Sequence, residues 1–107
     1  MVAIDRREEG VVVRLAGELD LYNASLLRDA LLAECAAAPE RLVIDLSEVE
    51  FIDSTALGVL VETRRRFANP KAVRLCCPGT ETRRALHISG LDEHFGVHET
   101  VEEALTG

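Results

Sequence analysis

The hydrophobic positions along the chain follow two kinds of spacing, and their order predicts an α/β fold. Short runs rich in β-branched residues predict strands, and longer stretches with apolar residues three or four positions apart predict helices. Residues 1–7, 11–16, 42–46, 72–77 and 95–98 have the strand pattern, and residues 22–38, 56–67, 80–88 and 100–105 have the helix pattern. Turn-forming residues such as Gly10 and Pro39 separate neighbouring segments. The predicted order is therefore β-β-α-β-α-β-α-β-α.

The spacing of these segments predicts how the strands pair. The first two strands are close in sequence, which predicts an antiparallel hairpin at one edge of the sheet. The later strands are separated by helices, which predicts parallel pairing through right-handed crossovers. The run Leu42–Leu46 is almost entirely apolar, as is typical of an interior strand covered on both faces. We expect one domain over residues 1–107, with a mixed sheet of four to five strands and about four helices.

Residues that favour helix starts mark several boundaries. Asp20 or Asn23 is a candidate cap for the first helix, and Thr80 for the third. Thr100 followed by Glu103 matches a capping box at the last helix. The first helix has one stripe that is apolar except for a glutamate, and the second has an apolar face that we expect to point inward. The stripe comprises Leu27, Ala30, Leu31, Glu34 and Cys35, and the face comprises Leu57, Leu60, Val61 and Phe67.

Composition and net charge narrow the class of protein. The chain has 107 residues, of which 48% are hydrophobic and 29% charged, a mixture that folds but leaves little room for a deep enzyme cleft. The net charge of −7 argues against a nucleic-acid partner, which would select a basic surface. The longest apolar runs are far shorter than the ~20 residues that span a bilayer, so we expect no membrane insertion and a cytoplasmic location.

The pattern of the three cysteines predicts side chains that pack in the core and do not bind a metal or carry out redox chemistry. Cys35, Cys76 and Cys77 have no C-x-x-C spacing, so neither a zinc motif nor a redox motif is supported. Adjacent residues of a strand point to opposite faces, so we expect Cys76 and Cys77 to be unbridged core thiols, as suits a reducing compartment. The chain also lacks a G-x-S-x-G elbow and a phosphate-binding G-x-G-x-x-G motif. We therefore expect no enzyme activity, catalytic residue, cofactor or metal.

The negative charge is confined to the first half of the chain. Residues 1–53 contain 12 acids and 5 bases, a balance of −7, whereas residues 54–107 contain 7 of each and balance to zero. Five of these acids flank the loops that precede the first two helices: Glu18, Asp20, Glu48, Glu50 and Asp53. If the two loops meet, they form an acidic rim. That rim is either an ordinary solvated surface or a face that selects a basic partner.

A serine stands at the predicted start of the second helix. In the segment Phe51–Gly58, Asp53, Ser54 and Thr55 are all residues that favour helix N-termini. The first backbone N–H groups of a helix have no partner within it, and the helix dipole favours negative charge there, so a phosphate on Ser54 would be accommodated. It would add about −1.5 to −2 charges that a docked partner would not tolerate. The alternative is that Asp53 or Ser54 only caps the helix.

Three short motifs resemble those of the STAS domain family, and in particular of bacterial anti-sigma factor antagonists. They are Gly17–Asp20 (Gly-Glu-Leu-Asp), Asp53–Ala56 (Asp-Ser-Thr-Ala) and Ser89–Asp92 (Ser-Gly-Leu-Asp), and the similarity runs from Val11 to Leu105. Family members carry Asp-Ser-(Ser/Thr)-Gly at the start of the second helix, and the serine after the aspartate is phosphorylated. The resemblance therefore implies Ser54 as the phosphorylation site. Ala56 departs from the family by replacing its glycine.

What the resemblance implies is a regulatory binding protein without a catalytic residue. Its unphosphorylated form would bind an anti-sigma factor that is also a serine kinase and so release a sigma factor. Phosphorylation of Ser54 would end binding, and a serine phosphatase would reset the switch. Asp20, Asp53, Ser54 and Thr55 are the implied partner-binding residues. Nucleotide and metal would belong to the partner enzymes.

Two other functions stay open at this point. The chain is also compatible with a STAS subunit of a larger assembly, such as a lipid-transport ATPase complex or a stress-sensing particle, in which the same surface docks without a phosphorylation cycle. A small hydrolase or transferase is the third possibility. It is disfavoured because no acid or base stands at a recognisable spacing from Ser54.

Overall fold

The computed structural model describes residues 2–106, which form five strands and five α-helices. The strands are β1 (Val2–Arg7), β2 (Gly10–Leu19), β3 (Leu42–Ile52), β4 (Val73–Cys76) and β5 (Gly96–His98). The helices are α1 (Ala24–Ala36), α2 (Ser54–Arg65), α3 (Thr80–Ser89), α4 (Leu91–His94) and α5 (Val101–Thr106), with a 3-10 turn at Pro70–Ala72. Met1, expected in the first strand, and Gly107 lie outside the described residues.

The five strands form one mixed sheet in the order β1-β2-β3-β4-β5. β1 pairs antiparallel with β2, and every later pair is parallel. This confirms the predicted N-terminal hairpin and the parallel crossovers. No helix within residues 2–106 is long and apolar enough to cross a membrane.

Helices cover both faces of the sheet, but unequally. On one face, alternate residues of the central strands pack against α1, α2, α3 and α4, and this layer contains most of the core. On the other face, Val12, Val43 and Cys76 pack against Ala104 and Leu105 of the short helix α5. The apolar run at the start of β3 is thus buried from both sides, as predicted.

Several elements differ in length from the sequence prediction. β2 and β3 extend to Leu19 and Ile52 because their polar second halves pair with each other, with two register shifts in between. Gly17, at φ 87°, lies at one of these shifts, where a left-handed conformation favours glycine. The single-turn helix α4 was not predicted, since four residues are too few to show a helical period.

The observed caps agree with the prediction only in part. The Thr100 hydroxyl accepts a hydrogen bond from the Glu103 N–H at 3.1 Å, as a capping box requires. The Glu103 carboxylate, however, accepts from the N–H of Glu99 at 3.4 Å and not from that of Thr100. The prediction of Thr80 as the cap of α3 was wrong, because Gly79 occupies that position.

The prediction that Cys76 and Cys77 face opposite sides of the sheet was wrong. β4 ends at Cys76, and Cys77 follows in a left-handed conformation with φ 63°. This backbone turn ends the strand alternation and brings the two Sγ atoms within 4.8 Å of each other. All three cysteines are free thiols, as expected.

Asp45 is a buried acid held by polar contacts on β2 and β3. Its carboxylate accepts from Arg14 Nε at 3.2 Å and from the N–H of Ser47 at 2.9 Å. Burial alone would raise the pKa of Asp45, but the hydrogen bonds from Ser47 and Arg14 outweigh it and hold that pKa below its ordinary value of 3.8. The ionised carboxylate therefore stabilises the folded chain above pH 3.8, and this contribution is lost as the pH falls through the lower folded pKa.

Asp45→Asn should therefore destabilise the chain at neutral pH and matter less in acid. We expect a loss of about 1 kcal/mol at pH 7, since Arg14 is half-exposed and solvent weakens its contribution. The difference from wild type should shrink below pH 3.8. Urea unfolding across that range measures it, with the exposed Glu40→Gln as the control. A difference that stays constant down to pH 2 would contradict the assignment.

Candidate functional site

The candidate site lies where β2 and β3 end side by side. Glu18 pairs with Phe51 and Leu19 with Ile52 in the parallel register. The N–H of Asp53 then donates to the carbonyl of Leu19 at 3.0 Å. The loop before α1 and the start of α2 are thus adjacent, as the acidic-rim hypothesis required.

Asp53 joins these two segments through its side chain. It is the N-cap of α2, in an extended conformation, and its Oδ1 accepts from the N–H of Ala56 at 3.0 Å. Its Oδ2 accepts from the N–H of Leu21 in the neighbouring loop at 3.1 Å. The predicted capping role of Asp53 is confirmed, and the same carboxylate also fixes the loop beside Ser54.

Asp20 organises its own loop. Its Oδ1 accepts from the N–H groups of Tyr22 and Asn23, at 3.0 and 3.3 Å. The Oδ1 of Asn23 in turn accepts from the N–H of Asp20 at 2.9 Å. The Nδ2 of Asn23 donates to the carbonyl of Glu18 at 2.6 Å. Asn23 occupies the N-cap position of α1, but neither side chain caps that helix, so the predicted side-chain cap there was wrong. The loop is held in shape by its own polar groups.

Ser54 is the first residue of α2 and its side chain is exposed. Within residues 2–106 its hydroxyl has no hydrogen-bond partner. Thr55 follows it and is also exposed. The N–H groups of Ser54 and Thr55 precede the first hydrogen bond of the helix, so they are available to an anion at this position. The arrangement offers an accessible hydroxyl at the positive end of a helix dipole.

Ala56, which stands where the family has glycine, is completely buried. Its N–H is bound by Asp53 and its methyl group packs in the main core with Leu60. A protein that approaches Ser54 therefore cannot touch the Ala56 methyl group. The departure from the family pattern changes the interior of the helix start and leaves its outer surface as it is.

Four exposed apolar side chains lie on β3, α1 and the loop before α1, and were not recognised in the sequence. Leu21 is 67% exposed, Tyr22 92%, Leu26 71% and Phe51 48%. Two of them belong to the loop before α1, one to the outer face of α1 and one to the end of β3. The available signal was the pair Leu21 and Tyr22 inside a polar loop. We call these four residues the exposed apolar group.

The acidic residues predicted to form a rim are arranged around the same loops. Glu18, Glu48 and Glu50 are exposed, whereas Asp20 and Asp53 are half-buried. The site thus combines an accessible hydroxyl, an exposed apolar group and an excess of negative charge. Such a surface is suited to contact with another protein, because apolar centres with charged borders are typical of interfaces.

Comparison with known proteins identifies the family of this chain. The chain matches the STAS domain family over residues 1–104. It is 38% identical over 96 residues to the anti-sigma-F factor antagonist RsfB of Mycobacterium tuberculosis, covering 90% of this chain and 79% of that protein.

Two solved structures have the same fold. The crystal structure of an anti-sigma factor antagonist from Mycobacterium paratuberculosis is 35% identical, with a TM-score of 0.92, covering 99% of this chain and 91% of that one. The Bacillus cell fate determinant SpoIIAA in its phosphorylated form is 23% identical, with a TM-score of 0.72, covering 98% and 96% of the two chains. Sequence, sheet topology and these matches agree, and the chain belongs to the STAS domain family.

Proposed function

We propose that this protein is an anti-sigma factor antagonist that works by partner switching. Its unphosphorylated form binds an anti-sigma factor with serine kinase activity and thereby releases a sigma factor. Phosphorylation of Ser54 ends this binding, and a serine phosphatase restores it. The chain acts as a single STAS domain in the cytoplasm and as a binding protein, not an enzyme. The observation that carries the proposal is the exposed Ser54 hydroxyl at the start of α2, next to the loop that carries the exposed Leu21 and Tyr22.

The relatives support the type of partner. RsfB and the Mycobacterium paratuberculosis protein are both named for antagonism of an anti-sigma factor. SpoIIAA, which shares the fold, has been solved in a phosphorylated form. The site residues Asp20, Asp53, Ser54 and Thr55 are carried over from the family motifs, and their grouping at one edge of the sheet supports a shared role.

The physical basis of binding is the combination of apolar area and charge. Docking would remove the exposed apolar group from water, which favours association in proportion to the area buried. The surrounding acids would select a partner with a basic surface and speed its encounter. Asp53 would keep the loop and the helix start in the docking geometry through its two hydrogen bonds.

The physical basis of release is the charge of the phosphate. A phosphoserine at position 54 adds about −1.5 to −2 charges. The free N–H groups at the start of α2 stabilise this charge within the chain. A docked partner would instead have to desolvate it beside an acidic rim, so the complex is destabilised while the fold is kept.

Affinity capture from the native cytoplasm tests the proposal. Wild type and Ser54→Asp are used as parallel baits, and captured proteins are identified by mass spectrometry. We expect wild type to retain an ATP-binding kinase-like protein and Ser54→Asp to lose it. Capture of the same transporter ATPase or large particle by both baits would overturn the partner switch and favour a subunit of a larger assembly.

Ala56→Gly restores the glycine of the family motif. It tests separately how the alanine at this position affects stability and how it affects phosphorylation of Ser54. Because the Ala56 methyl group is buried in a helix, its removal should cost about 1 kcal/mol of folding free energy. The rate of Ser54 phosphorylation by the partner kinase should stay within about twofold of wild type, since the methyl group does not reach the surface. Thermal unfolding and radiolabelled phosphate transfer measure the two effects. A large change in the rate would contradict this account of Ala56.

A further inference from the structure

A second cluster of reactive side chains lies on the other face of the sheet, away from Ser54. Asp45 of β3 pairs in register with Cys76 of β4, and Cys77 follows at the end of that strand. One ligand atom from each of these three residues lies within 4.8 Å of the others. Two thiols and a carboxylate at this separation are the donor set of a site for a thiophilic divalent cation.

The backbone brings the two thiols together at a conformational cost. A non-glycine residue at φ 63° is uncommon, and such residues concentrate at functional sites. Cys77 is held there by its N–H, which donates to the carbonyl of His98 at 2.9 Å. In a continued strand its side chain would point away from Cys76. The left-handed turn therefore creates the pair.

The cluster is mostly buried, but one of its side chains can be reached from solvent. Cys76 is completely buried and Asp45 nearly so, whereas Cys77 is half-exposed and provides a route from solvent. Burial first, and then contacts with neighbouring thiol and carboxylate groups, raises the pKa of the Cys76 thiol. Burial and the nearby charges of Asp45, Glu102 and Glu99 likewise raise the pKa of Cys77.

Acidic side chains close to the cluster favour a bound cation. Asp45, Glu99 and Glu102 are negative, and Arg14, which donates to Asp45 from β2, is positive. We propose that Cys76, Cys77 and Asp45 bind one thiophilic divalent cation, with Zn²⁺ as the representative ion. Binding replaces two S–H bonds by two metal–sulfur bonds and releases two protons, and the carboxylate supplies the third ligand.

Titration of the purified full chain with Zn²⁺, under a non-thiol reductant, tests the site. We expect one ion per chain, release of protons and a raised unfolding temperature. Titration with Co²⁺ should give a thiolate-to-metal charge-transfer band, which reports sulfur ligation directly. Cys35→Ser is the matched control, because Cys35 is a half-exposed thiol outside the cluster, and it should bind like wild type.

The cluster variants decide the outcome. Cys77→Ser, at the half-exposed position, and Asp45→Asn should each lower the affinity by at least about tenfold, the smallest effect seen even for residues beyond the direct ligands of metal sites. The fold of each variant is checked by circular dichroism before titration. No saturable binding by wild type, or equal binding by wild type and Cys77→Ser, would overturn the proposal. Neither result would affect the role proposed for Ser54.

Discussion

Ser54→Asp should weaken binding of the anti-sigma factor by about 100-fold. Like charges placed together at an interface cost several kcal/mol, and each 1.4 kcal/mol is about tenfold in affinity. The new carboxylate would stand at the start of α2, where the helix dipole and free N–H groups stabilise it, so the chain itself should keep its stability. Isothermal titration of the captured anti-sigma factor with each variant measures the affinity, and thermal unfolding checks the fold.

The control for this experiment adds the same charge elsewhere. Asn69→Asp places a carboxylate on an exposed residue beyond the far end of α2, whose 12 residues extend about 18 Å from Ser54, and should bind like wild type. Ser54→Ala should bind as tightly as wild type and stay bound when ATP is added, because the acceptor hydroxyl is missing. An unchanged affinity for Ser54→Asp would refute the switch at this residue. Equal loss with Asn69→Asp would show a response to net charge alone.

The sequence pattern was sufficient to predict the fold because the spacing of apolar residues differs clearly between the predicted strands and the predicted helices. The β-branched run in β2 and the continuous apolar run at the start of β3 identify strands, and the helix between them predicts parallel pairing, which brings their carboxyl ends together. Asp53 and Ser54 could be located because they belong to a run of residues that favour helix N-termini, directly before an apolar helical pattern. The roles of these two residues at the start of a helix depend on their neighbours in sequence, and these neighbours can be read directly from the sequence.

The features that the pattern missed depend on neighbours in space. An apolar residue of a helix or strand looks the same in the sequence whether it packs or projects into water, so the exposure of Leu26 and Phe51 was not predictable. The left-handed turn at Cys77 occurs without glycine and has no signature in composition. Glu34 was placed correctly on the inward stripe of α1, but its partner is 28 positions away on another element.

Arg6→Met should destabilise the protein by about 1–2 kcal/mol, because it removes both charged donors from the nearly buried Glu34 carboxylate while the exposure of Arg6 itself lets solvent weaken the pair. Only 5% of the Glu34 side chain is exposed, although it carries a carboxylate. Arg6 of β1 donates to it twice, from Nη1 at 2.7 Å and from Nη2 at 3.0 Å. This paired geometry gives each carboxylate oxygen a charged donor. Urea unfolding at pH 7 measures the loss.

Two further variants separate a buried charge from lost packing. Arg7→Met removes the neighbouring arginine, whose ion pair with Asp5 is exposed on both sides, and should change stability little. Changing Glu34→Leu together with Arg6→Met removes the unpaired carboxylate and should recover most of the loss, since apolar residues of similar volume can replace a buried pair. If the double variant is as unstable as Arg6→Met alone, the aliphatic part of Arg6 stabilises β1 by packing. In that case the Arg6–Glu34 ion pair would not be the main interaction that holds β1 against α1.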